Sequence, residues 1–398
     1  MSGWRNEPLS AVCEFINRGV SPKYLDNGGI AVLNQKCVRD HEVSHALGRR
    51  HDIAAKKVAP ERFLRAGDVL VNSTGTGTLG RVAQLREPPP EPTTVDSHVT
   101  IVRPISGLFH PEFFGYALIA IEEQIQAGGE GCGGQTELSR SKLAEAYRVG
   151  FPVDLQEQRR IVAILDEAFE GIATAKANAE KNLRNARELF SLKLAVTLDI
   201  HDDAWVSTTV GEICTLKSGT TVPVAVEKAS GDIPYVKVAE MTMPENANGI
   251  TTSIRFIDRS DIKKTWLIPA GAVVFPKRGG SILTNKKRLT LVDICADLNI
   301  MSAIPSGKIT PEFLYLFFLT VDMRKLGTGS SIPQINNYDI APLPISFPAS
   351  KVKQKELVEL LGAIKDESEA LADLYARKIS ALDELKKSLL HQAFSGQL

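Results

Sequence analysis

Cysteine is scarce in this chain: Cys13, Cys37, Cys132, Cys214 and Cys295 are scattered through 398 residues, with no C-x-x-C pair. An odd, sparse set reads as reduced, mostly buried thiols rather than a disulfide framework. Long apolar runs are also missing. The longest, near Leu314 to Val321, falls far short of the roughly 20 residues that cross a bilayer. Met1-Ser2-Gly3-Trp4 opens without a basic-then-apolar region, so no export is expected and the cytoplasm is the expected location. There is no excess of either charge, with 47 basic against 47 acidic residues. That neutral balance does not favour a nucleic-acid binder and leaves room only for local basic patches against acidic helices. With 43% apolar and 24% charged residues, what remains is an ordinary globular composition, long enough for two or three domains.

What is present is a repeat. Phe151-Pro152 followed by Gln158, Ile161, Val162, Ile164 and Leu165 returns as Phe347-Pro348 followed by Gln354, Leu357, Val358, Leu360 and Leu361. Pro111-Glu112-Phe113 returns as Pro311-Glu312-Phe313, and Ala66-Gly67 as Ala270-Gly271. Trp4, Cys13 and Pro22 match Trp205, Cys214 and Pro223. A period of about 200 residues means a duplicated domain, since solenoids repeat every few tens of residues. Within the first copy, strands are expected at Ile30–Leu33, Asp68–Asn72, Gly80–Leu85 and His98–Val102, and a helix from Pro111 to about Gln126. The second copy keeps the order, with strands near Tyr235–Val238, Val273–Pro276 and Leu289–Ile294 and a helix from Pro311. Each helix feeds a glycine-rich stretch, Gly128 to Gly134 and Gly327 to Ser330.

Each copy is followed by a different texture. From about Leu155 to Leu198 there is no proline and a single glycine, and helix formers dominate. Val162, Leu165, Phe169, Ile172, Ala179, Leu183, Ala186 and Phe190 fall at the 3–4 spacing of a coiled-coil seam. Leu357, Leu361, Ile364, Leu371, Tyr375, Leu382, Leu385 and Leu389 form a second seam, with polar interruptions at Lys176, Ser368 and Lys378. A helix of this length cannot leave one apolar face bare, and its repeat is the nearest partner. The expected fold class is therefore α+β: two similar mixed α/β modules (1–150 and 201–346) separated by two long antiparallel coiled-coil helices (151–200 and 347–398), related by a pseudo-twofold. The alternative is that each helix packs only on its own module.

This order of elements resembles the specificity (S) subunits of type I restriction–modification systems. The resemblance covers nearly the whole chain. It rests on the module–helix–module–helix order, the segment from Gly67 to Arg81, the Phe-Pro…Gln helix openings and the closing Leu389-Leu390-His391-Gln392-Ala393-Phe394-Ser395-Gly396-Gln397-Leu398. It implies two target-recognition domains, each reading half of a split, asymmetric site in double-stranded DNA. It further implies helices that act as spacer and as docking surface for two methyltransferase subunits, with restriction subunits joining them. No chemistry is implied for this chain, so the methyl donor, ATP and Mg would belong to the partners. In agreement, there is no Asn-Pro-Pro-aromatic tetrapeptide, no Phe-x-Gly-x-Gly loop and no G-x-x-x-x-G-K-[ST] loop.

Candidate DNA-binding residues follow from residue chemistry. Asn72, Ser73, Thr74, Thr76, Thr78 and Arg81 form a Gly/Ser/Thr-rich loop after a strand. Hydroxyls and amides suit phosphates, and arginine suits guanine edges. The same loop also suits a plain hairpin turn. Lys277, Arg278, Lys286, Lys287 and Arg288 concentrate cations at the matching place in the second copy, as a phosphate-tracking patch or a solvated turn. Arg49, Arg50, Lys56 and Lys57 form a third cluster, either DNA contact or surface charge.

One motif competes. His41-Glu42-Val43-Ser44-His45-Ala46-Leu47-Gly48-Arg49-Arg50-His51 satisfies H-E-x-x-H-x-x-G-x-x-H, in which His41, His45 and His51 would bind zinc and Glu42 would act as general base. Its context is poor for a metalloprotease: the next methionine is Met241, and the second copy has nothing similar near Thr242–Thr252. A two-headed protein-binding scaffold is the third class left open.

Overall fold

The same antiparallel four-stranded sheet is built twice in the computed structural model, which describes residues 3–130, 136–200, 202–326 and 333–398. Most of each glycine-rich stretch, including Cys132, lies outside the described residues. In module 1, Cys13–Arg18 (β1), Val69–Asn72 (β2), Val82–Gln84 (β3) and Val99–Pro104 (β4) lie in the order β1-β4-β2-β3. In module 2, Cys214–Ser218 (β5), Val273–Pro276 (β6), Arg288–Leu289 (β7) and Ile300–Pro305 (β8) lie in the order β5-β8-β6-β7. The registers agree: Cys13 faces Pro104 as Cys214 faces Pro305, and Val69 faces Val102 as Val273 faces Ala303.

Both central strands are continuous apolar runs because both of their faces are covered. Val69 and Val71 pack into one cluster with Phe113 and Phe114 of the helix Pro111–Ala120 (α1), while Leu70 joins a second cluster with Ala83 and Ile101. In module 2, Val273 and Phe275 pack with Phe313 and Phe318 of the helix Pro311–Thr320, and Val274 faces the other way with Ile300 and Ile294. Alternate side chains of one strand thus feed two cores. Each second sheet contains a parallel pair, Thr93–Val95 beside Ile30–Leu33 and Ile294–Ala296 beside Ile233–Val236. The remaining strands of those second sheets differ between modules. Gly19 and Gly219 lie where this second sheet meets the first. A Cβ at either would sit 1.8 or 2.1 Å from a backbone oxygen, so the close approach excludes any side chain.

The helix Pro311–Thr320 of module 2 is α3, and the long helices Leu155–Asp199 (α2) and Lys351–Phe394 (α4) run on from the modules. The Phe-Pro pair ending the preceding strand and the glutamine of the first turn are what the sequence repeat encodes. The buried Gln158 side chain accepts from His110 N and donates to the carbonyls of Pro152 and Leu108. The buried Gln354 accepts from Thr310 N and donates to the carbonyls of Pro348 and Lys308. One amide in each module therefore ties three chain segments together at the helix start.

By contacts the chain forms two compact units, Met1–Ala179 with Arg377–Leu398, and Glu180–Ala376, so each unit takes part of both long helices. Within the first unit, Ile161, Val162 and Leu165 pack in one core with Leu390 and Ala393, and Lys176 pairs with Asp383 at 2.6 Å. Rising numbers on α2 meet falling numbers on α4, so the pairing is antiparallel there. Within the second unit, Phe190, Leu194 and Leu198 cluster with Val358, Leu361 and Ile364. The seam of α2 follows its sequence pattern. That of α4 departs from it: Leu371 and Leu385 are 39% and 46% exposed, whereas Leu390 and Ala393 are buried.

Two further expectations are corrected. The helix expected from Pro111 to Gln126 breaks at Ile121 into Pro111–Ala120 and Glu122–Ala127. The strand expected at Leu289–Ile294 is two strands, Arg288–Leu289 and Ile294–Ala296, which belong to different sheets. No helix among the described residues is long and apolar enough to cross a membrane.

Candidate nucleic-acid interface

The H-E-x-x-H segment is not a helix. Val38–Arg39 pairs with Glu42–Val43 as a tight hairpin, and its two turn residues, Asp40 and His41, have φ of 54° and 65°. Two left-handed residues are what a two-residue turn of the twisted hairpin type requires. His45 opens a short 3-10 turn, and His51 ends the strand Arg49–His51. His51 is buried, with Nδ1 accepting from Lys23 N and Nε2 facing Lys56 O, so both ring nitrogens serve the backbone. His41 Nε2 lies 2.7 Å from Glu122, whose other oxygen accepts from Val82 N. Glu42 is exposed on the hairpin. Among the described residues no group of three potential ligands could hold a metal ion. The zinc reading of His41, Glu42, His45 and His51 is thereby corrected, because it needs a helical face that this backbone does not form.

The Asn72–Arg81 loop is held mainly by its own polar groups. Asn72 and Ser73 are buried: Asn72 Nδ2 donates to Gln35 O, and Ser73 Oγ shares a hydrogen with Thr100 Oγ1. Thr74 Oγ1 meets Gln35 Nε2 and His98 Nδ1, Thr78 Oγ1 donates to Thr74 O, and Arg81 Nη2 donates to Gly77 O. Thr76 stands exposed at the tip. In the third cluster, Arg50 is bound to Gly28 O, Gly29 O and Glu91, while Arg49 lies over the Tyr24 ring. Lys56 Nζ donates to Ser21 O, and Lys57 is exposed.

The cation patch of module 2 divides. Arg278 is exposed, Lys286 half-buried, and Arg288 donates to Asn246 O and Lys287 O. Lys277 and Lys287 are only 7% and 3% exposed, which corrects their reading as open phosphate contacts. Lys287 Nζ donates to Asn285 Oδ1 and to Val321 O at the end of α3, clasping that helix end to the loop. Burial pushes its ammonium down to about 8 from 10.5, against the attraction of Asp322. A depressed lysine binds more protons unfolded than folded, so its contribution rises with pH between about 8 and 10.5. Lys287→Met should remove that rise. Chemical denaturation of both proteins at pH 7.5 and pH 10 checks it, and equal pH dependence in the two would rule it out.

Beside these loops the two modules share a frame bond for bond. Ser73 N donates to His98 O as Lys277 N does to Asn299 O. Leu138 N donates to Ser73 O as Ile335 N does to Lys277 O, and Gly75 N to Thr136 O as Gly279 N to Pro333 O. On this frame, module 1 carries Arg18, Glu137 and Arg140, and module 2 carries Ser218, Gln334 and Asn337. Arg18 bridges Glu137 at 2.6 Å and donates to Leu138 O. Lys277 Nζ donates to Ser218 Oγ at 2.8 Å, and burial, then the neighbouring Arg278, lowers its pKa. Arg18, Glu137, Arg140, Gln334 and Asn337 escaped the sequence reading. They lie outside any charge run, and only their shared backbone partners bring them together.

The comparisons with known proteins bear on this duplicated fold. A chain from a study of complex assembly and conformational transition in the type I R-M system is similar over 100% of this chain and 99% of its own, at 16% identity and a TM-score of 0.79. The HsdS subunit from Thermoanaerobacter tengcongensis is similar over 100% of this chain and 98% of its own, at 18% identity and a TM-score of 0.66. At those identities the likeness shows the fold alone, which is shared with the HsdS subunit. Residues 202–374 match the family model of the type I restriction modification DNA specificity domain. That match takes in module 2 and the first part of α4, and the resemblance to type I specificity subunits read from the sequence holds. No curated protein sequence matches.

Proposed function

We propose that this chain is the sequence-specific DNA-binding subunit of a type I restriction–modification complex. It recognises a bipartite, asymmetric site in double-stranded DNA and directs methyltransferase and restriction subunits to it. The observation that carries the reading is the pair of frames with matching backbone hydrogen bonds and different polar side chains at the same points. A shared frame presents each module to DNA in the same way, and divergent side chains let each select a different half-site. The connecting helices supply a fixed spacing between the half-sites and a docking surface for two methyltransferase subunits. Leu192, Val196, Leu360, Leu371 and Leu374 support the docking role, since all are exposed apolar side chains on α2 and α4. This subunit is non-catalytic. The methyl donor, ATP and Mg belong to the partner subunits, and the complex works in the cytoplasm.

Exchanging residues 201–346 for the second module of another such protein should change one half of the methylated sequence and leave the other intact. Methylome sequencing of cells carrying each version reads this directly. A change in both halves, or in neither, would sink the modular reading.

A further inference from the structure

We infer that the choice of half-site is made by one strip in each module, where the ends of two sheet strands meet the segment after the glycine-rich stretch. In module 1 the strip is Arg18, Thr74, Glu137 and Arg140; in module 2 it is Arg278, Gln334 and Asn337, next to the buried Lys277–Ser218 contact. The inference rests on the DNA-reading function proposed above and names the residues that would do the reading.

The strand registers make the correspondence. Arg18 pairs with Thr100 as Ser218 pairs with Met301, so Arg18 and Ser218 occupy one position. Ser73 and Lys277 occupy another, by their shared partners at positions 98 and 299. A cation and a serine have thus changed places between the two strands that flank β4 in module 1 and β8 in module 2. Thr74 bridges Glu137 as Arg278 bridges Gln334, which aligns the following segment. There, Glu137 corresponds to Gln334, Arg140 to Asn337 and Ser141 to Tyr338. Glu137, Arg140, Asn337 and Tyr338 are all exposed. The frame itself is held by backbone groups, so these side chains are free to differ without disturbing it.

The chemistry at each position differs in the way base recognition requires. A carboxylate such as Glu137 only accepts, which suits an exocyclic amino group, most simply that of cytosine. Gln334 and Asn337 both donate and accept, which suits the adenine edge, while Arg278 and Arg140 suit guanine. In module 1 the carboxylate is already matched by Arg18. In module 2 Lys277 meets a neutral hydroxyl instead, leaving Arg278 exposed beside an amide row.

The test transplants part of one strip onto the other frame. The Asn337→Arg/Tyr338→Ser double variant places the module 1 pair Arg140-Ser141 on module 2, at exposed positions. Arg278→Ala provides an independent second variant. The full chain with its methyltransferase partner selects sequences from a randomised bipartite duplex library. We expect each variant to change base preference by about tenfold or more at one or two positions of the module 2 half-site. The other half-site should be unchanged. If both variants keep the wild-type sequence, the strip is not the reader, although DNA reading stands. If the wild-type complex selects no sequence at all, the proposed function falls, and the strip with it.

Discussion

Replacing Gln354 by leucine should destabilise the second unit by about 3 kcal/mol or more. The side chain is fully buried and makes three hydrogen bonds, from Thr310 N and to the carbonyls of Pro348 and Lys308. Leucine fills similar space but strands three backbone groups in a place water cannot reach, and each such orphan costs about 1–3 kcal/mol. The gain from burying an apolar side chain, about 1.5–3 kcal/mol, offsets part of this. Calorimetry of the full chain should show the transition of this unit falling by several degrees. Gln158→Leu should do the same to the first unit, because its three bonds are equivalent. A melting profile indistinguishable from wild type for both variants would show that the glutamines do not hold the helix starts.

These glutamines also mark how far the sequence could be read. The Phe-Pro…Gln repeat, the two long helices and the strand Val273–Pro276 were legible because they rest on local pattern: periodicity, composition and an unbroken apolar run. The reason for the glutamine was not. Two of its partners lie 44 and 46 residues upstream of Gln354, across a fold that pattern alone does not assemble. The burial of Lys277 and Lys287 was hidden for a related reason. Charged residues are seldom buried, and only the tertiary partners Ser218 and Val321 reveal that these two are. The zinc signature, already out of context in the sequence, specifies spacing, whereas metal binding needs that spacing on a helix; the left-handed pair Asp40-His41 turns the chain instead. The reading strips were least legible of all. Arg18 aligns with Ser218 at one offset and Ser73 with Lys277 at another, so the exchange of cation and serine appears only once the strand registers are known.

Removing the carboxylate of Asp68 should cost the first unit about 3–5 kcal/mol, the range for breaking a buried ion pair from one side. Arg103 and Asp68 are both nearly inaccessible, and Nε and Nη2 of Arg103 each lie 2.7 Å from a different Asp68 oxygen. Arg103 also donates to the carbonyls of Glu61 and Phe63, while Arg65 N donates to Asp68. Asp68→Ala therefore leaves a guanidinium buried without its counter-charge. Module 2 supplies the control. By register, Ala272 stands where Asp68 does and Ile304 where Arg103 does, and that module closes the same corner with apolar side chains. The Asp68→Ala/Arg103→Ile double variant should accordingly regain most of the loss, since replacing a whole buried pair by apolar residues is often neutral. A residual deficit is expected from the freed carbonyls of Glu61 and Phe63. Denaturant unfolding of the two single variants and the double variant completes the cycle. A double variant as unstable as the sum of the singles would mean that the pair is not coupled. Recovery would show that module 1 keeps an ion pair its own frame does not require for stability, the same kind of divergence on a shared frame that separates the two reading strips.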